Sequence, residues 1–248
     1  MLLRCIADLT GRCGHEKDRS NGTMVRRWRH LITKQIGAVL WDNDGVLVDS
    51  ETRFFETTRV AFARIRLTLT REIWARHYLA EGMSSHEIAA MMGAESNRIV
   101  PMLEERNREY MQVLRQPPPL RPQVRETLTR LFGRVKMAIV TGCYRNQLQL
   151  MHGANGLLDL FDAIVTGDEC PNPKPHPDLY LAGLKVLGVP AERCLAVEDS
   201  PRGLAAARAA GVACLVVPTE LTRDLSFAGA LSVEPDVSAV LNYLPGQR

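Results

Sequence analysis

The sequence predicts an α/β fold: a doubly wound, Rossmann-like parallel sheet with an inserted helical cap domain. Three observations lead there. Five short runs between residues 36 and 217 are apolar on both faces, as strands buried between two helical layers are. Helical stretches with recognisable caps follow the later runs. Residues 51–116 carry no strand signal, so they interrupt the alternation as one block. Composition agrees. With 46% hydrophobic and 24% charged residues in 248, the chain can bury a sizeable core, and disordered or fibrous classes are excluded. No apolar run is long enough to span a membrane. A net charge of +3 is too small for nucleic acid to be the main partner.

Residues 1–35 read as a basic, poorly ordered extension. The first 36 residues carry a net charge of +5 and the remainder −2. Arg4 interrupts any signal-peptide core, and Asp8, Glu16 and Asp18 argue against a mitochondrial presequence. Met24 is an alternative start. Cys5, Cys13 and His15 match no common zinc spacing. The six cysteines are scattered without a C-x-x-C pair, which reads as reduced thiols in a cytoplasmic protein.

The core is expected over 36–50 and 117–248, with the cap over 51–116. Ile36 to Trp41 is the first strand, Val135 to Val140 the second, Ala163 to Val165 the third, Cys194 to Val197 the fourth and Ala213 to Val217 the fifth. In the cap, Phe54, Thr58, Ala61, Phe62 and Ile65 recur at helical spacing. Ile73 to Leu79, His86 to Met92 and Val100 to Leu114 read as further helices, and Pro117-Pro-Pro119 as a stiff linker. Pro177 to Leu187 is a helix stopped by Gly188. Another starts at Ser200-Pro201 and stops at Gly211. Ligands in such sheets bind beyond the carboxyl ends of the strands, where this chain carries Asp42, Asp44, Thr141, Glu198 and Asp199.

Four segments carry chemistry. In Trp41-Asp42-Asn43-Asp44-Gly45, two carboxylates at i and i+2 point the same way, and their repulsion calls for a cation. Mg²⁺ suits one or two carboxylates plus water and phosphate. An EF-hand is excluded, because Leu40 falls where its first carboxylate is needed. Val140-Thr141-Gly142 offers a hydroxyl and backbone N–H groups to an anion. Asn172-Pro173-Lys174-Pro175 holds one lysine in a rigid loop. Glu198-Asp199 ends another buried strand.

In order and spacing, from about Ile36 to Pro218, these segments resemble the four motifs of the haloacid dehalogenase-like superfamily. The helical insert resembles the cap of its β-phosphoglucomutase and phosphosugar-phosphatase branch, and Gly82 to Ile88 is similar to that branch's substrate-facing loop. The resemblance implies a Mg²⁺-dependent phosphatase acting on a small phosphorylated metabolite, either a sugar phosphate or a phosphorylated organic acid. Asp42 would be the nucleophile and Asp44 the acid–base. Asp42, the Asp44 carbonyl and Asp199 would hold the metal, with Glu198 direct or one step behind. Thr141, Gly142 and Lys174 would bind the phosphoryl group, and Glu81, Ser84 and Ser85 would set specificity.

Asn43 departs from the family, which usually has an apolar residue there; by alternation its side chain points away from the site. Cys143 stands where Ser is common. Arg145 is open between substrate contact and a salt bridge. A phosphonate-cleaving reaction needs a cap lysine, and residues 51–135 contain none. The alternative is a phosphohexomutase of the β-phosphoglucomutase type. Its cap histidine falls on Phe54, and its Lys and Arg fall on Glu81 and Ser85. A non-catalytic binding protein is the third reading. The sequence leaves the oligomeric state open.

Overall fold

The computed structural model describes residues 36–153 and 155–244. The expectations for the basic extension, for Met24 and for Cys5, Cys13 and His15 lie outside the described residues. Six strands form one parallel sheet: β1 (Ala38–Trp41), β2 (Lys136–Val140), β3 (Ala163–Val165), β4 (Cys194–Glu198), β5 (Ala213–Val216) and β6 (Ser232–Val233). Their order is β3-β2-β1-β4-β5-β6, the doubly wound arrangement with its reversal between β1 and β4.

The alternation of side chains along the strands accounts for the two helical layers. Val39, Trp41, Met137, Ile139, Leu195, Val197 and Leu215 face one core. Ala38, Leu40, Ala138, Val140, Ala196, Cys214 and Val216 face the other. Every strand is therefore apolar on both sides, except at the short edge strand β6. That sixth strand was not expected. Two residues are too few to show a period, and it exists because β5 offers it a free edge.

Eight α-helices are described. In the cap, α1 (Glu51–Arg64) is followed by α2 (Arg71–Ile73), which widens at once into a π-helical segment, Trp74–Ala80. Then come α3 (Ser85–Met91) and α4 (Ser96–Val113). Phe55, Phe62, Trp74, Leu79, Ile88, Ile99 and Met102 pack into a cap core of their own. Around the sheet lie α5 (Val124–Leu131), α6 (Arg145–His152), α7 (Asp178–Leu187) and α8 (Pro201–Ala209). The sequence reading did not anticipate α5 and α6. Both are amphipathic, but their starts lack ordinary signals: Gln123 caps α5 from a left-handed conformation. At α8, Ser200 accepts the Gly203 N–H as expected.

The two passages between core and cap run side by side. Asp49 N–H donates to the Pro119 carbonyl at 3.0 Å, and Arg121 N–H to the Leu47 carbonyl at 3.0 Å. The cap is thereby held over the carboxyl ends of β1 and β4. Among the described residues, no helix is long and apolar enough to cross a membrane.

Candidate active site

The site lies at the topological reversal. Asp42 follows β1 directly, and its N–H still donates to Val197 of β4 at 3.0 Å. Glu198 closes β4, and Asp199 follows it. One acid from β1 thus meets two from β4, and the three can each place an oxygen within 4.8 Å of the others. All three are buried. Lys174 comes in from the loop before α7. Its Nζ donates to Asp42 Oδ1 at 2.9 Å, Glu198 Oε1 at 2.6 Å and the Val140 carbonyl at 3.1 Å. Tyr180 of α7 donates its hydroxyl to the same Glu198 oxygen at 2.6 Å.

Lys174 alone does not balance three buried carboxylates, and the Arg202 charge acts on Asp199 less strongly than burial and its acidic neighbours do. Burial raises Asp42 above the usual carboxylate range; Lys174 pulls it back, and Asp44 adds to the rise. Burial and then Asp42 raise Glu198. Asp199 is pushed well up by burial, then by Asp42 and Glu198. Burial alone would lower Lys174, but the charges of Asp42 and Glu198 outweigh it and hold the ammonium above its ordinary value. Among the described residues, Glu198 Oε2 and Asp199 Oδ2 have no hydrogen-bond partner. Buried carboxylate oxygens left unpaired beside one another are what a divalent cation satisfies, so this donor set fits one.

Two glycines make the crowding tolerable. A Cβ on Gly45, whose φ is +79°, would collide with the Asp199 carboxylate, and one on Gly203 would collide with Glu198. Asp44 is held on its own: Ser50 donates to Oδ1 at 2.5 Å and Thr141 to Oδ2 at 3.2 Å. The Thr141 hydroxyl also accepts the Cys143 N–H at 3.1 Å. Gly142 is exposed at the cavity wall.

Over these groups is a cavity of about 470 Å³, lined from the core by Asp42, Asp44, Gly142, Lys174 and Asp199. Thr141 and Glu198 are buried just behind the wall. The cap supplies Glu51, Phe54, Tyr78, Arg106 and Tyr110. Arg106 is buried and donates to Thr58 at 2.9 Å and Ser85 at 3.3 Å; among the described residues no carboxylate pairs with it within salt-bridge distance. Ser85 therefore supports a wall residue without lining the wall. Ser84 caps α3 in a reciprocal pair with Glu87. Glu81 bonds His77 at 2.6 Å and Arg76 at 3.4 Å on the cap surface. Neither Glu81 nor Ser84 lines the cavity in this structure. Arg145 pairs with Glu169 and donates to the Ile164 carbonyl at 3.1 Å, so the salt-bridge alternative is the one seen. Burial, and then the charge of Asp44, push the Cys143 thiol well up, which disfavours its thiolate.

The sequence reading missed Glu51, Tyr78, Arg106 and Arg202. Arg202 of α8 lies 4.1 Å over the Tyr78 ring and so joins core to cap. Its place three residues after Asp199 was the only local signal. Arg106 looked like one charge among many on a charged helix.

Against this geometry, comparison with known proteins is direct. The sequence model of haloacid dehalogenase-like hydrolases matches residues 39–217. The chain belongs to that family. Within it, the relatives are those of the phosphosugar phosphatase branch. The chain is 31% identical over 226 residues to the protein CbbY of Rhodobacter capsulatus, covering 83% of this chain and 95% of that one. It is 31% identical over 220 residues to a phosphorylated carbohydrates phosphatase of Thermotoga maritima, covering 84% and 97%. The crystal structure of a CbbY mutant from Rhodobacter sphaeroides in complex with xylulose-1,5-bisphosphate superposes with a TM-score of 0.71 at 25% identity, covering 85% and 99%.

Proposed function

We propose that the protein hydrolyses a small phosphomonoester, a sugar phosphate or phosphorylated organic acid, through a phosphorylated Asp42 with Mg²⁺ as the cation. The observation that carries this is Lys174 bridging Asp42 and Glu198 beside the unpaired oxygens of Glu198 and Asp199. Asp42, Asp199 and the Asp44 carbonyl would hold the ion, with Glu198 Oε2 alongside. Bound there, Mg²⁺ supplies positive charge to the phosphoryl oxygens.

In the first half-reaction an Asp42 carboxylate oxygen attacks phosphorus while the bond to the leaving oxygen breaks. Asp44 gives its proton to that leaving oxygen. Lys174 and the N–H groups after Thr141 hold the phosphoryl oxygens and offset their repulsion from Asp42. In the second half, Asp44 takes a proton from water as the water attacks phosphorus. Inorganic phosphate leaves and Asp42 is regenerated. Arg106, Tyr78 and Tyr110 face the part of the cavity that the rest of the substrate would fill.

The cavity also favours hydrolysis over phosphoryl return. Phe54, at the position of the mutase histidine, packs against Trp74, Tyr78 and Tyr110 and carries no proton. Among the described residues no histidine lines the cavity. The test is phosphate release from a panel of sugar phosphates and phosphoglycolate, with Mg²⁺ and with EDTA, for wild type and Asp42→Asn. Release that needs Mg²⁺ and Asp42 is expected. Undiminished release by Asp42→Asn would reject the nucleophile. Glucose 6-phosphate formed from β-glucose 1-phosphate would favour the mutase.

A further inference from the structure

Asn43, between the two aspartates, has a side chain that turns into the core, yet it is not idle there. It is fully buried and reaches His152 at the end of α6. Four hydrogen bonds run in series. The Leu157 N–H donates to Asn155 Oδ1 at 3.0 Å, and Asn155 Nδ2 faces His152 Nδ1 at 3.3 Å. His152 Nε2 is 2.7 Å from Asn43 Oδ1, and Asn43 Nδ2 donates to Asp44 Oδ2 at 3.3 Å.

The direction of this series is determined. A backbone N–H can only donate, so it fixes the Asn155 oxygen and turns the Asn155 amino group toward His152. His152 Nδ1 must then accept, which leaves the proton on Nε2, pointing at Asn43 Oδ1. The Asn43 amino group is thereby directed at Asp44 Oδ2, with the Met151 sulfur at 3.5 Å as its other acceptor. Burial lowers His152 to about 4, so the ring is neutral and this tautomer persists at physiological pH. Polar groups so deep cost stability unless each is bonded, and an apolar residue at position 43 would need no such arrangement.

We propose that His152 and Asn43 are positioning residues: they clamp the orientation of the Asp44 carboxylate, and with it the delivery of the proton to the leaving oxygen. Ser50 and Thr141 also donate to this carboxylate, and Asn43 adds a third donor from the residue next to it. The inference rests on Asp44 being the acid–base group, and the experiment separates the two.

The measurement is kcat/KM for two esters, an alkyl phosphate and p-nitrophenyl phosphate. This ratio reports only the steps through departure of the leaving group. An alkoxide needs a proton as its P–O bond breaks, whereas p-nitrophenolate leaves without one. Asp44→Asn, the reference, lowers the alkyl ester far more than the aryl ester. In Asn43→Leu the alkyl ester is expected to fall about tenfold further than the aryl ester, the scale of one hydrogen bond to a neutral carboxyl group. His152→Leu should show the same bias, and His152→Gln, whose amide can donate to Asn43, should regain most of it. A purely structural pair would lower both esters together, and equal losses beside a biased Asp44→Asn overturn the relay alone. An unbiased Asp44→Asn overturns the acid–base assignment and the relay with it.

Discussion

Glu51 is the first residue of the cap helix α1, 5% exposed, with its Oε1 accepting the Trp74 indole N–H at 3.1 Å. Burial raises its carboxyl to about 7; Arg202 pulls it down, while Asp44 and Asp42 push it up. An acid raised in the folded state contributes fully below its ordinary value of 4.5, and that contribution is lost as pH climbs through about 7. The difference between the two values, at about 1.4 kcal/mol per pH unit, comes to about 3 kcal/mol at pH 8 and about 1 kcal/mol at pH 5. Glu51→Gln keeps the oxygen that Trp74 needs and removes the charge. In urea unfolding with EDTA present, the variant should exceed wild type by about 3 kcal/mol at pH 8 and by about 1 kcal/mol at pH 5. The attraction of Arg202 is already contained in these figures. An equal gap at both pH values, or a variant weaker than wild type at pH 8, would refute the argument that a buried, insufficiently paired charge sits at the cap entrance.

Lys174→Met leaves Asp42 and Glu198 buried without their shared cation, so urea unfolding should show a loss of about 3–5 kcal/mol, and phosphate release should vanish. A loss under about 1 kcal/mol would mean the acids are already neutral. Gly203→Ala places a methyl group against the Glu198 carboxylate. It should lower both melting temperature and Mg²⁺ affinity by calorimetry, and unchanged affinity would detach Glu198 from the metal. Saturating Mg²⁺, at about a hundred times its Kd, should stabilise wild type by about 2.7 kcal/mol, and Asp199→Asn should erase that gain. Equal stabilisation of both proteins would place the ion elsewhere.

Much of the candidate site was legible because its signals are local. Asp42, Thr141 and the Glu198–Asp199 pair each end a strand whose two apolar faces declare it buried, and Lys174 sits between prolines. The cap side of the cavity wall was not legible. Arg106 reads as a solvated charge on α4, and only the packing of α1 and α3 around it shows that it is buried. Glu81 and Ser84 illustrate the converse: both are polar and lie near a recognisable loop, yet each has a nearer partner within the cap.

The sequence by itself determined the parallel sheet, the order of its motifs and the acids at its rim. The backbone period of a strand and the capping preferences of a helix are written in neighbouring residues. Only the tertiary structure decided which distant groups meet. His152 lies 109 residues from Asn43, and Lys174 lies 132 from Asp42. Their bonds depend on how helices and loops stack against the sheet, and no local period records that. The charge imbalance among the buried acids is likewise a property of the packed molecule, because a carboxylate becomes costly only once water has been removed from around it.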